Sequence, residues 1–399
     1  MIEMEPISQR NTFYFFRGRV AFYALLRALR IQPGDEVLIP GYTCIAVPTP
    51  ILGMRARPVY VDIDPSTYNI NSVELERRIT SRSKVIVAQH TFGIPCDMSA
   101  IMAIAQRYGL VVIEDTCHVW GSKYEGRDLG SFGAAAFYSY DPGKPFIIGM
   151  GGAATVNSES LLSRVLTLYP TFRKPAAMET AKLHIQYIAH RMTRHPRLFW
   201  SVRDLYRFLS RNGVAIATWT SDTLEGTLGP DYDKALAPSL RNRLSAMMLK
   251  GNDVISRHKR LAAQYERGLR SLGMAVLDIN SDWDPVLICY PVQVTNKTCL
   301  LHEARGARIE LGDSFSSPVH PLPEAQWPAV EYQKGSCPIA EAVARQVITL
   351  PCHAGVTTKE VDRTLRFLSQ MKERGLLRQG GFERADMSNS ALADQGLGC

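Results

Sequence analysis

Three short stretches of this chain carry residue types that could do chemistry together. The first is Glu114, Asp115, Thr116, Cys117 and His118, directly after the apolar run 110–113. A carboxylate at the carboxyl end of a strand lies at the mouth of a parallel sheet. One chemistry that needs it there is that of pyridoxal 5′-phosphate (PLP), whose pyridine nitrogen must stay protonated for the ring to accept electrons. The alternative role for Asp115 is a cap on the next helix. The second stretch is Ser139, Tyr140, Asp141, Pro142, Gly143, Lys144 and Pro145, between the small-residue run 134–138 and a turn rich in glycine at Gly149, Gly151 and Gly152. PLP chemistry needs a lysine amine to form a Schiff base with the cofactor and later to carry the substrate's α-proton, and Lys144 is placed to reach the same mouth as Asp115. A lysine in a loop is otherwise a solvated charge. The third stretch, Phe16 to Ala21, opens a helix, where free backbone amides, Gly18 and Arg19 could receive a phosphate. It could equally be an ordinary helix start with basic flanks, and it has too few glycines for a Walker or dinucleotide fingerprint.

The elements that must position these residues follow from hydrophobic patterning. Apolar runs at 36–40, 58–62, 84–89 and 110–114 alternate with helix-period segments at 20–29, 45–52, 72–78 and 98–108. Strands alternating with helices imply crossover units and an α/β fold with a mostly parallel sheet covered on both faces. After Ser158 the pattern changes. Residues 161–211 are helix-like, rich in Arg, Lys, His and aromatics, and read as part of a helical insertion reaching to about 222. Basic and aromatic residues interleave there as they do in helices that lie on a membrane surface, although a packed helical hairpin with a solvated basic face gives the same pattern. A long helix is expected over 245–272, leading into a smaller α+β unit. The division expected is a large domain over 1–244, a linker helix and small domain over 245–375, and a disordered tail over 376–399.

The chain has 399 residues, 46 Lys and Arg against 38 Asp and Glu, and a formal charge of +8. A basic surface suits a phosphate-bearing substrate, an anionic membrane face or nucleic acid, or is simply solvated. The eight cysteines include no C-x-x-C pair and no zinc pattern, so no metal site is expected and the thiols read as free, in a reducing compartment. The first 17 residues lack the apolar core of a signal peptide, no apolar run has spanning length, and a cytoplasmic setting follows. No nucleic-acid-binding motif gathers the charge.

Taken in order, these pieces resemble the DegT/StrS family of sugar aminotransferases, PLP enzymes of fold type I. The resemblance runs from Gly18 and Pro33-Gly34-Asp35 through Pro40-Gly41-Tyr42-Thr43, His90-Thr91-Phe92-Gly93, Glu114-Asp115, Leu129-Gly130-Ser131 and Ser139 to Lys144, and returns at Cys337-Pro338 and Leu350-Pro351. It implies a seven-stranded-type large-domain sheet, a homodimer, glutamate as amino donor and a nucleotide-diphosphate keto sugar as acceptor, in polysaccharide, glycoconjugate or secondary-metabolite synthesis. Residue by residue it implies Lys144 as the cofactor-binding lysine, Asp115 beside the pyridine nitrogen, His118 near the ring hydroxyl, and Ser139 with Gly18 and Arg19 around the phosphate. Departures from the pattern are Arg19 in place of a threonine, Met150 in place of a glutamate, and Cys44 where many members carry the aromatic that stacks on the ring, with Tyr42 and Phe92 as candidate replacements.

Two rival readings stand beside this one. Related sugar dehydratases place a histidine at the lysine position, so Lys144 favours transfer, but a cyclitol or another ring ketone could be the acceptor. The departures also fit a protein that binds PLP or a sugar nucleotide for regulation or scaffolding without turnover.

Overall fold

The computed structural model describes residues 11–193 and 228–377, so residues 194–222 of the expected insertion and 378–399 of the expected tail lie outside the described residues, as do 1–10 and 223–227. Its centre is a seven-stranded sheet made of β1 (Thr12–Phe15), β2 (Glu36–Pro40), β3 (Arg57–Val61), β4 (Ser83–Gln89), β5 (Val111–Asp115), β6 (Ala135–Ser139) and β7 (Gly152–Val156), in the order β1-β7-β6-β5-β4-β2-β3. Five neighbours, β6-β5-β4-β2-β3, are parallel, while β7 runs antiparallel to both β6 and β1. The mostly parallel α/β sheet expected from the sequence is therefore present.

The strands are apolar at successive positions because both faces are covered. Val37, Ile39, Val85, Val87 and Ile113 join one buried cluster, and Leu38, Ile86, Ala88 and Val112 join another on the opposite face. Helix α1 (Gly18–Ala28) packs its Val20, Ala21, Ala24 and Leu25 into the first cluster. The helix at Met98–Tyr108 packs Met98, Ile101, Ile104 and Ala105 into the second. Its ends are local: the Asp97 carboxylate accepts from the Ala100 amide at 3.0 Å, and Gly109 closes it in the left-handed region at φ +64°. Each Val, Leu, Ile or Met side chain so removed from water contributes about 1.5–3 kcal/mol before entropy is subtracted.

The long helix expected over 245–272 is two helices, Pro238–Met248 and Gly251–Ser271. The break falls beside Gly251, where a β-carbon would come within 2.9 Å of the Trp120 indole nitrogen. That packing, distant in sequence, overrides a periodicity that continues across the break. The C-terminal elements include an antiparallel pair, Cys289–Gln293 with Val347–Pro351, and the helix Thr358–Glu373 with a complete capping box between Thr357 and Glu360. They are joined to the main sheet by a buried carboxylate: Asp62 accepts from the amides of Ile339 and Ala340, each at 2.9 Å, at the start of the helix Pro338–Gln346. No helix among the described residues is long and apolar enough to cross a membrane.

Candidate active site

Parallel strands end on one edge, and the residues that leave β4, β5 and β6 there build a cavity of about 700 Å³. The ladder places Gln89 opposite Asp115 and Asp115 opposite Phe137, so these three stand in a row at its floor. All six residues singled out from the sequence, Gly18, Arg19, Asp115, His118, Ser139 and Lys144, line this cavity.

Lys144 is presented by a turn its own sequence dictates. Asp141, Pro142, Gly143 and Lys144 have the type II pattern: proline presets the second position, Gly143 takes φ +86° at the third, and the Lys144 amide donates to the Asp141 carbonyl at 3.2 Å. The Asp141 side chain accepts from the Gly151 amide at 3.2 Å, which ties the two ends of the connection between β6 and β7. The positive charge of Lys144 acts on Asp115, Cys117, His118, Cys289 and His320, all on the cavity wall, so the ammonium faces inward.

Two adjacent carboxylates behave oppositely. Glu114 is fully buried, and burial pushes its carboxyl up, yet His90 and the amides of Gly130, Phe132 and Gly133 outweigh this and hold it below the ordinary range. It is a satisfied structural anion. Asp115, pointing to the other face, accepts from the Cys117 amide at 2.9 Å. Burial raises its carboxyl above the ordinary value despite that bond and the charge of Lys144. Asp115 is therefore a buried carboxylate on the cavity wall whose protein partners do not offset its burial.

His118 is neutral: burial, then the charge of Lys144, holds its imidazole well below the usual range. The Phe92 amide donates to its Nδ1 at 3.1 Å, which assigns the ring proton to Nε2. Phe92 lines the cavity with its ring parallel to His118, whereas Tyr42 lies behind the wall with its hydroxyl accepting from the Phe315 amide at 3.1 Å. Of the two candidates to replace the missing aromatic, only Phe92 reaches the cavity.

The start of α1 is pressed against the end of β6. A β-carbon on Gly18 would lie 3.0 Å from both Ser139 Cβ and the Tyr138 carbonyl oxygen, and one on Gly152 would lie 2.3 Å from the Arg17 carbonyl carbon. Glycine at both positions seats the first helical turn beside Ser139 and Arg19 at one end of the cavity.

Sequence reasoning missed the opposite wall. Lys250, Arg257, Glu310, His320 and His353 come to the cavity from C-terminal elements. His353 accepts from the Gly355 amide on Nδ1 at 3.1 Å and donates from Nε2 to Glu310 at 3.0 Å. His320 accepts from Ser316 at Nδ1, and burial pushes it down to about 4. The signal available for His353 was its place just after the strand Val347–Pro351. Counted over the described residues of the wall, Arg19, Lys144, Lys250 and Arg257 face Asp115, Asp141, Asp253 and Glu310. The chain's excess of positive charge is therefore not spent on this cavity. No His, Cys, Asp and Glu cluster able to hold a metal occurs among the described residues. The described cysteines are free, and burial raises the Cys117 thiol far above its usual value, away from reactivity.

Comparison with known proteins gives a consistent picture. The model of the DegT/DnrJ/EryC1/StrS aminotransferase family matches residues 15–191 and 244–369. A UDP-2-acetamido-2-deoxy-3-oxo-D-glucuronate aminotransferase of Pseudomonas aeruginosa is 29% identical over 345 residues, covering 86% of this chain and 81% of the relative. A GDP-perosamine synthase of Caulobacter vibrioides is 27% identical over 361 residues, covering 89% and 84%. Among solved structures, S. venezuelae DesV in complex with a ketimine intermediate superposes with a TM-score of 0.65 at 26% identity, covering 91% of this chain and 85% of that one. An aminotransferase from Psychrobacter cryohalolentis shares the fold with a TM-score of 0.71 at 20% identity, covering 92% and 89%.

Proposed function

The chain belongs to the DegT/DnrJ/EryC1/StrS aminotransferase family, and from that premise we propose that it transfers an amino group from glutamate to a keto sugar carried on a nucleoside diphosphate, with PLP as cofactor. The observation that carries the reading is the contrast between Glu114, fully satisfied, and Asp115, buried on the cavity wall with its carboxyl raised, in the same cavity as an inward-facing Lys144. The named relatives that act on UDP- and GDP-linked sugars support the acceptor class.

The residues present fit the cofactor. Asp115 would hold the proton on its pyridine nitrogen, the pairing that a desolvated carboxylate lacks without a partner. His118, with its hydrogen on Nε2, offers a donor to the ring oxygen, and Phe92 offers an apolar face. Ser139, Arg19 and the amides at Gly18 would receive the phosphate. When bound, PLP supplies an electron sink that lets a proton leave the carbon bearing nitrogen. Lys144 would bind the cofactor through Nζ, give way to the donor's amine, take the proton from the donor's α-carbon and later deliver one to the acceptor's carbon. The Asp141 to Lys144 turn fixes the stem of that side chain, so only the side chain itself needs to move. The same reading carries a homodimer and a cytoplasmic setting.

Purified protein supplied with PLP should absorb in the visible, borohydride should fix the cofactor on Lys144, and glutamate should give 2-oxoglutarate while bleaching that band. Cofactor fixed on any other lysine, or a band indifferent to glutamate, would refute the assignment.

A further inference from the structure

The helix Ala177–Thr193 carries an apolar stripe on the side turned away from the protein. Met178, Ile185, Ile188 and Met192 are between 50 and 69% exposed, and Ala181 and Ala189 fill the stripe between them. At 100° per residue these six span about a 100° sector. Lys182 and Arg191 flank the sector and are exposed, as is Lys174 just before the helix. The inner face is already committed. Leu183 is buried, its carbonyl packs where a β-carbon on Gly149 would come within 2.7 Å, and the Arg243 guanidinium lies 3.9 Å from the centre of the Tyr187 ring. Among the described residues, internal packing therefore accounts for one side of the helix and leaves the apolar side exposed.

The charge of the chain is concentrated in the same region. Residues 161–211 hold ten of the 46 Lys and Arg and two of the 38 Asp and Glu, leaving 36 of each in the other 348 residues. The whole formal excess of +8 belongs to this one stretch, while the cavity wall is balanced. The family model matches only to residue 191 before resuming at 244, so the end of this helix marks where the chain departs from the family pattern.

We propose that the exposed face of the helix Ala177–Thr193 docks the protein onto an anionic lipid surface, lying in the plane of the interface with Met178, Ile185, Ile188 and Met192 inserted and Lys174, Lys182 and Arg191 against the headgroups. The apolar positions 178, 181, 185, 188 and 192 also have the spacing of a helix-pairing seam, which a second copy could fill. Charge decides between the two occupants: a second copy brings the same basic flank, Lys174, Lys182 and Arg191, against the first, whereas basic residues beside the apolar face of an amphipathic helix are attracted to acidic lipid.

The test is co-sedimentation of the full chain with vesicles of phosphatidylcholine alone and of phosphatidylcholine mixed with phosphatidylglycerol. The protein should pellet only with the acidic vesicles and be released by about 0.5 M salt, where the Debye length falls to a few ångströms. Ile185→Asp with Ile188→Asp, and separately Lys174→Glu with Lys182→Glu and Arg191→Glu, should each weaken binding at least about tenfold. Circular dichroism and the cofactor absorbance band should stay unchanged. Wild type left in the supernatant, or variants that pellet like wild type, would overturn the proposal. Self-association in the absence of lipid that Ile188→Asp abolishes, with vesicle binding intact, would give the face to a second copy instead.

Discussion

Replacing Asp115 by Asn should stabilise the protein without cofactor and destabilise it with cofactor. The carboxyl of Asp115 is raised above its ordinary value, chiefly by burial. For an acid with a raised folded-state pKa, the associated stability is present below the unfolded value and lost as pH rises through the folded one. At neutral pH the ionised group is therefore a net cost to the cofactor-free fold. Asn removes the charge and keeps the Oδ1 acceptor for the Cys117 amide, now 2.9 Å away. Removing a functional cost of this kind yields about 0.5–2 kcal/mol, or about 1–3 °C in a chain of this size. The cofactor changes the sign. At a concentration a hundred times Kd it stabilises wild type by about 2.7 kcal/mol, whereas truncating one partner of a buried charged pair costs about 2–5 kcal/mol of binding, enough to erase that gain. Thermal unfolding at pH 7.5, with and without a fixed excess of PLP, reads both. The reasoning fails if the cofactor-free variant melts below wild type, or if PLP raises both melting temperatures equally.

Other outcomes follow from the same structure. Burial depresses His118 and His320, the latter to about 4, so the stability they support is present above an unfolded value near 6.5 and is lost as pH falls from there toward 4. Each contributes a slope of at most about 1.4 kcal/mol per pH unit, and His320→Gln should flatten the decline seen by urea unfolding at pH 7, 6 and 5. Parallel curves for variant and wild type would remove His320 from the account. Gly152→Ala drives a β-carbon to 2.3 Å from the Arg17 backbone and should cost about 3 kcal/mol, whereas Gly306→Ala, with nothing within 4 Å, should be neutral or slightly stabilising in the same chemical denaturation. Arg19→Ala should weaken PLP about tenfold or more by fluorescence titration and leave the affinity for pyridoxal, which lacks the phosphate, unchanged; an equal loss for both ligands would place Arg19 elsewhere.

Much of the sheet was legible because its strands are continuous apolar runs bounded by turn residues. The expected 58–62, 84–89 and 110–114 differ from the observed β3, β4 and β5 by single residues at their ends. The helices Ser72–Arg78 and Met98–Tyr108 were legible to the residue because Asn71, Asp97 and Gly109 mark their ends locally. β1 was missed: four residues long, it is specified by pairing with β7 some 140 positions away, and nothing local announces it. The site divides in the same way. Asp115 and Lys144 could be found because they follow strands, and Gly18 because it opens a helix. Arg257, Glu310, His320 and His353 sit on separate elements that only the tertiary fold assembles. The net charge was visible as a number, but its meaning required knowing that the cavity wall is neutral.

The single reversed strand of the main sheet, β7, bears on where the chain can vary in length. Because it begins at the mouth of the sheet with Gly152 and ends at the far edge with Val156, the chain leaves the mouth before the helix Glu159–Leu168 begins. Between residues 191 and 244, where the family model breaks off, sequence can be gained or exchanged without altering any strand register beneath Asp115 and Lys144. Length can then vary there while the site stays fixed, and the helix Ala177–Thr193, whose Leu183 carbonyl packs on Gly149, stands between the two.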